Sequence, residues 1–486
     1  KWIWINICTN LYNRMVTITN MDVLDQWSFV QRDVVYHSWG SNEYLPVTLQ
    51  EKIELKRLIL KGIDEANECL KICSFILTDV DVINALVRKL DSTETAIFIL
   101  TQLDESKFST SFLTDEEIKE NPSQYHLDAI ATLNDKGAHI RASGSVHAKF
   151  IIVDNDYTIL TSANITRSSL NENPESGVIL RDDLCKDAAI VFDLVYRYGT
   201  TYSRFIKAGG NKRYILQNEN NLQDSWLPDA SNGFLFTLSG SKRYIYDEMI
   251  RIIDEANSEL ILSTYCIVGV EKLKEFTDAI KNAIDRGVRV VVFCRGMNYR
   301  SDHLYGSKLL ADLGCELYGD LLNHSKGLSN ENDSMIFTAN VDGRHGLEGG
   351  FEVGAKLSLN QHNAIRSFML WQVENAPYKF LKNVAREEVF RTYEWYCKTR
   401  GKRSPERIKS LTIHGNGLSK KTQQDLKNKA FYGVYKGEEL VALDIEGEFL
   451  SAKKIGETLE VEHTNYKYYN NEKYLIRYDE LRLDYE

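Results

Sequence analysis

No stretch of this chain reaches the roughly 18 consecutive apolar residues of a membrane-spanning helix. The apolar run Trp2–Cys8 is too short for the core of a signal peptide, and no small-residue cleavage site follows it. Zinc-type cysteine spacing is also missing. Of eight cysteines only Cys69 and Cys73 are close, and a four-residue step without a second pair is no metal pattern. Cys73, Cys266 and Cys294 fall in apolar runs, which predicts buried free thiols and a reducing, cytoplasmic setting. There is no phosphate-binding loop: Gly415–Thr422 has the wrong Gly-to-Lys spacing, and no apolar strand leads into it. Positive charge is not in excess, the formal net charge being −10, which weakens nonspecific polyanion binding outside a dedicated groove. The chain starts at Lys1, with Met15 and Met21 following, so residues 1–22 are expected to contribute little to the fold.

What is present is ordinary in composition and unusual in order. The 486 residues, 43% hydrophobic and 26% charged, suit a globular chain of two or three domains. Two stretches carry the same residues in the same order. His147, Lys149, Ser162, Asn164 and Glu175 are matched by His324, Lys326, Thr338, Asn340 and Glu352, with 28 residues between His and Glu in both. Gly137 and Gly314 each stand ten residues before the histidine. The repeat extends back to Ile63–Asn67 and Ile253–Asn257, each followed by an apolar strand-like run, Ile72–Leu77 and Leu260–Tyr265. Asp64 to His147 is 83 residues and Asp254 to His324 is 70, so the first copy holds 13 more, expected within Ser109–His126. Self-similarity in fixed order on this scale predicts a duplicated domain.

Within each copy, helical patterns alternate with short β-branched runs. Leu273–Arg286 then Val288–Phe293 is one such step, with Gly287 ending the helix. Ala188–Tyr196 and Ala364–Trp371 read as matching helices. The alternation predicts an α/β fold. The boundaries read as a lead-in 1–45, a first domain 46–206, a linker 207–230, a second domain 231–376, and a C-terminal segment 377–486 that is helical and basic to about 430 and then a small β module.

The spacing His-x-Lys, four residues, Asp, six residues, Thr-Ser-x-Asn resembles the signature of the phospholipase D superfamily. His147, Lys149, Asp154, Thr161, Ser162 and Asn164 match it. In the second copy Glu331 stands where Asp is expected, and one residue is missing, read as falling between Thr338 and Asn340, so that the serine position is either deleted or served by Thr338. The resemblance covers roughly residues 50–375. It implies two phospholipase D-like domains about a pseudo-twofold axis with both His-x-Lys motifs at the seam.

The chemistry accounts for the residue types. One imidazole attacks phosphorus to give a covalent phosphohistidine, splitting a hard displacement into two steps. The other protonates the leaving oxygen and then deprotonates water. The resemblance makes His147 the attacking residue. Lys149 and Lys326 supply charge, and Asn164 and Asn340 donate to nonbridging oxygens. The resemblance gives Glu175 and Glu352 the task of orienting the imidazoles, with Asp154, Ser162, Glu331 and Thr338 behind them. The scheme needs no metal and no cofactor. Each residue alone has an ordinary structural explanation, as a turn residue or a solvated charge. Two of ten histidines sharing a spacing to matched partners argues otherwise. The other eight show no doubling, with His126 and His345 as candidate neighbours of the cleft.

The motif specifies a phosphodiester and not its bearer. From Lys398 to Ala430, ten Lys/Arg face two acidic residues. A basic block in an acidic chain suits a nucleic-acid backbone, and Lys402, Arg403, Lys420 and Lys421 are its candidate contacts. A metal-independent nuclease on DNA or RNA is therefore the first expectation. A phospholipase or phosphatidyl transferase at a lipid surface is the second, and a non-catalytic binding module with a degenerate second motif the third. No feature points to a protein partner.

Overall fold

The computed structural model describes residues 34–103, 122–207, 213–217, 221–238, 242–296 and 301–382. It also describes Arg32, the strands Trp4–Asn10, Asn13–Thr19 and Trp27–Gln31, and the strands Glu406–His414, Phe431–Lys436, Glu439–Ile445, Glu448–Ile455, Thr458–Glu462, Tyr474–Arg477 and Arg482–Asp484. There are two compact units. One comprises Val34–Arg295 and Tyr305–Pro377, the other Lys1–Asp33, Gly296–Leu304 and Tyr378–Glu486.

The first of these is a mixed α/β unit built on two large mixed sheets. In one sheet the parallel strands His139–Ala142, Ala96–Thr101 and Cys69–Cys73 are followed by Phe150–Val153, Tyr157–Thr161, Glu175–Arg181, Val47–Leu49 and Lys52–Ile53, all antiparallel to their neighbours. In the other the parallel strands Glu316–Asp320, Arg289–Arg295 and Glu259–Ser263 are followed by Gly327–Ser329, Ser334–Phe337, Phe351–Lys356, Phe234–Leu238 and Lys242–Arg243, again antiparallel. The strand order is the same in both.

The helices follow from apolar spacing. Glu54–Glu65 buries Leu55, Ile59 and Ile63, one face at four-residue steps. Tyr244–Glu255 does the same with Ile245, Met249, Ile252 and Ile253. Leu359–Glu374 opens on a capping box of Ser358 and Gln361, which satisfies its first amides. Gly137, Gly287 and Gly314 adopt φ of 103°, 89° and 117° just past helix ends, a conformation that penalises any Cβ. One core cluster draws on both sheets and on the helices Asp182–Tyr198 and Leu359–Glu374. Phe150 meets Phe192, Phe234 and Phe351 there at 6.0–6.4 Å between ring centroids, and each fully buried large apolar side chain contributes about 1.5–3 kcal/mol.

Three expectations are revised. The stretch 207–230 is more than a linker: Arg213–Gln217 pairs with Tyr202–Lys207 as a hairpin, since Tyr214 and Ile215 are strand-favouring types. The helical reading of residues 377–430 fails where they are described. Tyr378–Lys382 and Glu406–His414 are strands, the latter holding β-branched Ile408, Thr412 and Ile413. Where residues 1–22 are described they are strands of the fold. Trp4–Asn10 pairs with Asn13–Thr19, which pairs with Glu406–His414 in the sheet of the second unit. Most of the segment expected to hold the first copy's extra residues lies outside the described residues, as do Lys402, Arg403, Lys420 and Lys421. Among the described residues no helix is long and apolar enough to cross a membrane.

Candidate active site

Each histidine stands just ahead of a strand, and each orienting glutamate opens one. His147 and Lys149 precede Phe150–Val153; His324 and Lys326 precede Gly327–Ser329. Glu175 begins Glu175–Arg181, and Glu352 is the second residue of Phe351–Lys356. The connection between these elements crosses from one sheet to the other. The His147 amide donates to Phe351 O at 3.0 Å, and the His324 amide to Pro174 O at 3.0 Å. The carbonyl acceptor is in each case the residue before the other copy's glutamate.

The side chains cross in the same way. His147 Nδ1 donates to Glu352 Oε1 at 2.6 Å, and His324 Nδ1 to Glu175 Oε1 at 2.6 Å. The other carboxylate oxygen is held by a hydroxyl: Ser162 Oγ donates to Glu175 Oε2, and Thr338 Oγ1 to Glu352 Oε2, both at 2.5 Å. With Nδ1 engaged, Nε2 is the ring nitrogen left for chemistry in both imidazoles. Lys149 Nζ donates to His147 O at 2.6 Å and Lys326 Nζ to His324 O at 2.7 Å. Lys149 Nζ also lies 3.4 Å from both ring nitrogens of His147. Asn164 and Asn340 are buried, each two residues after the hydroxyl residue Ser162 or Thr338 in the chain. All eight residues are buried, His147 being the most accessible at 8%.

Burial lowers the His147 pKa, aided by Lys149 and Lys326 and opposed by the Glu352 carboxylate. Burial alone would raise Glu352, but its contact with His147, then Lys149 and Thr338, holds it below the usual carboxylate value. Glu175 differs: burial pushes it up to about 7 against the pull of Lys326, Ser162, Ser169 and Lys149. Burial likewise brings Lys326 down to about 8. The two crossed pairs are alike in geometry and unlike in the proton affinity of their glutamates.

The second motif is complete, which revises where it departs from the first. Ser162 Oγ donates to Ser176 O and accepts from Ser176 N; Thr338 Oγ1 does the same with Val353. Thr338 is thus the counterpart of Ser162, and nothing is missing between it and Asn340. The missing residue lies in the preceding hairpin. Phe150 pairs with Leu160 across ten residues, whereas Gly327 pairs with Ile336 across nine. The longer turn contains Asp154 and Asn155 at φ 52° and 60°. Asp154 accepts from the amides of Asn67, Glu68 and Cys69 at 2.7–2.8 Å. Glu331 accepts from the amides of Asn257 and Ser258. Burial would raise the Glu331 pKa, but its hydrogen bonds hold it at about 2. One more methylene lets Glu331 span what the shorter turn leaves open. Both carboxylates therefore brace a turn away from the histidines.

Some neighbours were not anticipated. Phe75 meets the His147 ring edge-on at 5.3 Å, and Tyr265 meets His324 at 5.1 Å. Their matched places, one residue after Ser74 and Thr264, made them readable from the repeat. Arg295 lies buried over Tyr265, 5.5 Å from the ring centroid, in the second copy alone. His126 is fully buried, its Nδ1 accepting from the Leu77 amide and its Nε2 2.8 Å from Gln102 O. Burial pushes its pKa down to about 4, so it is a neutral core residue and no cleft acid. His345 is exposed on a loop.

Residues 59–193 match the family model described as cardiolipin synthase, PLD-like domain. They form a phospholipase D-like domain. Residues 236–305 match the model described as transcriptional regulator TrmB, EBD N-terminal subdomain. No curated protein matches the chain in sequence. Among solved structures, polyphosphate kinase from Porphyromonas gingivalis is similar at 12% identity and TM-score 0.48, over 71% of this chain and 49% of that one. This chain thus spans about half the length of that kinase. Phosphatidylserine synthase from Haemophilus influenzae Rd KW20 is similar at 12% identity and TM-score 0.48, over 71% of this chain and 88% of that one. The phospholipase D family member Nuc from Salmonella typhimurium is similar at 19% identity and TM-score 0.26, over 31% of this chain and 91% of that one. In the phospholipase D-like domain defined by the family match lie His147, Lys149, Asn164 and Glu175; their counterparts His324, Lys326, Asn340 and Glu352 lie outside it.

Proposed function

We propose that this chain is a phosphodiesterase that works through a covalent phosphohistidine, and that its two sheets are copies of one duplicated unit. The observation that carries the reading is the crossed pairing of His147 with Glu352 and of His324 with Glu175, which binds Nδ1 of each buried imidazole to a carboxylate, turns its Nε2 away from that carboxylate and sets a lysine beside each histidine. His147 is the nucleophile. Its lowered pKa leaves a neutral imidazole, whose Nε2 forms the P–N bond as the P–O bond to the leaving group breaks. His324 donates its proton to the departing oxygen and then takes one from the water that releases the phosphoryl group. Glu175, pushed up to about 7, lets the His324–Glu175 pair keep an extra proton near neutrality. The lysines and the asparagine amides offset charge on the nonbridging oxygens.

The proposed substrate is DNA or RNA, on the strength of the basic block Lys398–Lys429. A phosphatidyl group is the second reading, favoured by the cardiolipin synthase name of the matching family model. The second motif's Thr338 and Glu352 hold His147 as Ser162 and Glu175 hold His324, which weighs against a non-catalytic module with a degenerate second motif. Six described cysteines, all free thiols, suit a cytoplasmic setting.

The test offers the purified chain, in EDTA, labelled single-stranded DNA, duplex DNA, RNA and phosphatidylcholine vesicles in parallel. Cleavage of a nucleic acid without metal is expected. His147→Ala and His324→Ala should each remove nearly all turnover, and the double variant should be little worse, because the pair acts as a unit. Wild-type turnover in either variant, or activity lost to EDTA and restored by Mg²⁺, would overturn the mechanism. Turnover of vesicles alone would move the substrate to lipid.

A further inference from the structure

Two fully buried side chains near Glu175 carry polar atoms without a hydrogen-bond partner in the chain. They are the Thr48 hydroxyl and both ends of the Asn173 amide. Thr48 stands directly opposite Glu175 where Val47–Leu49 pairs with Glu175–Arg181. Residues so paired share a sheet face, with Cβ atoms about 5 Å apart. Asn173 lies two residues before Glu175, and the carbonyl of Pro174 between them receives the His324 amide.

The other copy is built differently at both places. Thr237 faces Glu352 in the same register, but its hydroxyl donates to Leu347 O at 3.3 Å. In place of Asn173 stands Gly350 at φ 83°, where a Cβ would come within 3.2 Å of Ser145 O. Unpaired buried polar atoms therefore occur at Thr48 and Asn173, and the matched positions Thr237 and Gly350 have no equivalent. Glu175 accepts from His324, Ser162 and Ser169. A carboxylate has about four acceptor positions, so one remains.

We propose that Thr48 and Asn173 hold an ordered water against the Glu175 carboxylate and are positioning residues for the His324–Glu175 pair. A buried water makes about three hydrogen bonds. The Thr48 hydroxyl, the Asn173 amide and the open position on Glu175 supply that number. The charged groups facing Glu175 are His324 and Lys326 from the second copy and Lys149 from its own. A water donating to the carboxylate favours its ionised form. Without it Glu175 binds its proton more tightly, and the pair keeps that proton to higher pH.

The kinetic arm of the test rests on the phosphodiesterase reading; the crystallographic arm does not. Thr48→Val and Asn173→Leu keep volume and remove polarity, Thr48→Ser keeps the hydroxyl, and Thr237→Val is the control in the other copy. A crystal structure of the full chain should show a water within hydrogen-bond distance of Thr48, Asn173 and Glu175. In Thr48→Val the basic limb of the kcat profile should move up by about half a pH unit or more, with KM little changed. Thr48→Ser and Thr237→Val should both keep the wild-type profile. An absent water, or a Thr48→Val profile that superimposes on wild type, overturns the proposal. A well-formed water in a protein without phosphodiesterase activity would sustain the water site and sink the catalytic reading instead.

Discussion

Replacing Glu352 by glutamine probes the crossed pairing directly. The carboxylate accepts the His147 Nδ1 proton at 2.6 Å and the Thr338 hydroxyl proton at 2.5 Å, all three groups being buried. A hydrogen bond to a charged group contributes about 1.5–3 kcal/mol, and 1.36 kcal/mol is tenfold in rate. Loss of charge alone thus predicts a fall in kcat of roughly 10- to 150-fold. Glutamine adds a second effect. Thr338 has one proton and two acceptors in reach, this side chain and Val353 O; when it donates to the amide oxygen, the –NH₂ is left facing Nδ1. A donor there favours the imidazole with its proton on Nε2, which has no lone pair for phosphorus. A mis-set tautomer of this kind costs on the order of 10⁴-fold in a serine protease triad. The expected loss for Glu352→Gln is therefore about 10²–10⁴-fold in kcat, with little change in KM. The pH dependence has a definite sign. Glu352 raises the proton affinity of His147, so without it the His147 pKa falls further, and the acidic limb of kcat/KM moves to lower pH. Steady-state rates on a nitrophenyl phosphodiester across the acid and neutral range, with thermal melts to verify folding, would measure both. A folded Glu352→Gln enzyme with near-wild-type kcat and an unmoved acidic limb would refute the pairing. Glu175→Gln should instead strike the basic limb, because the proton it helps to keep near pH 7 belongs to the acid.

Thr338→Ser should keep activity, while Thr338→Val, which leaves the buried Glu352 oxygen without its donor, should cost about 1–3 kcal/mol in stability by denaturant melts. Glu331→Asp withdraws a carboxylate from the Asn257 and Ser258 amides and should cost about 1 kcal/mol, or about 2–4 °C in Tm, with kcat unchanged. A large kcat loss there would mean that the turn reaches the histidines. Reversing Lys402, Arg403, Lys420 and Lys421 to Glu should weaken nucleic-acid binding by orders of magnitude at low salt and flatten a salt dependence of about 0.9 per phosphate contact. Turnover of a small phosphodiester should persist, and equal loss on both substrates would signal a folding defect.

Much of the site was legible in one dimension because its parts are local. A His-x-Lys at a strand start, a hydroxyl and an amide beyond the next strand, and a glutamate 28 residues on are short-range features, and their doubling set them apart from eight other histidines. Alternating helix and strand patterns likewise came from apolar spacing within single elements. The shift of the missing residue from beside Asn340 to the hairpin turn shows the limit. Spacing to the asparagine matches Ser162 with Thr338 while residue type alone also allows Thr161, and the hydrogen bonds of Thr338 to Val353 and Glu352 decide for Ser162. Strands such as Glu406–His414 escaped notice because their basic residues resemble a solvated helix face, while their pairing partner Asn13–Thr19 lies almost the whole chain away.

Sequence alone singled out eight candidate side chains and the chemistry they would suit, since residue type and spacing are properties of the chain. Tertiary structure decided who holds whom. His147 is oriented by a glutamate 205 residues later and His324 by one 149 residues earlier. No local rule encodes that crossing. It arises because the residue before each glutamate offers its carbonyl to the other copy's histidine amide, and because burying the shared core brings the two strand ends together. The opposite shifts of Glu175 and Glu352 have the same origin: proton affinity follows from burial and from neighbours across the fold, and two nearly identical motifs acquire different surroundings only once the chain has folded.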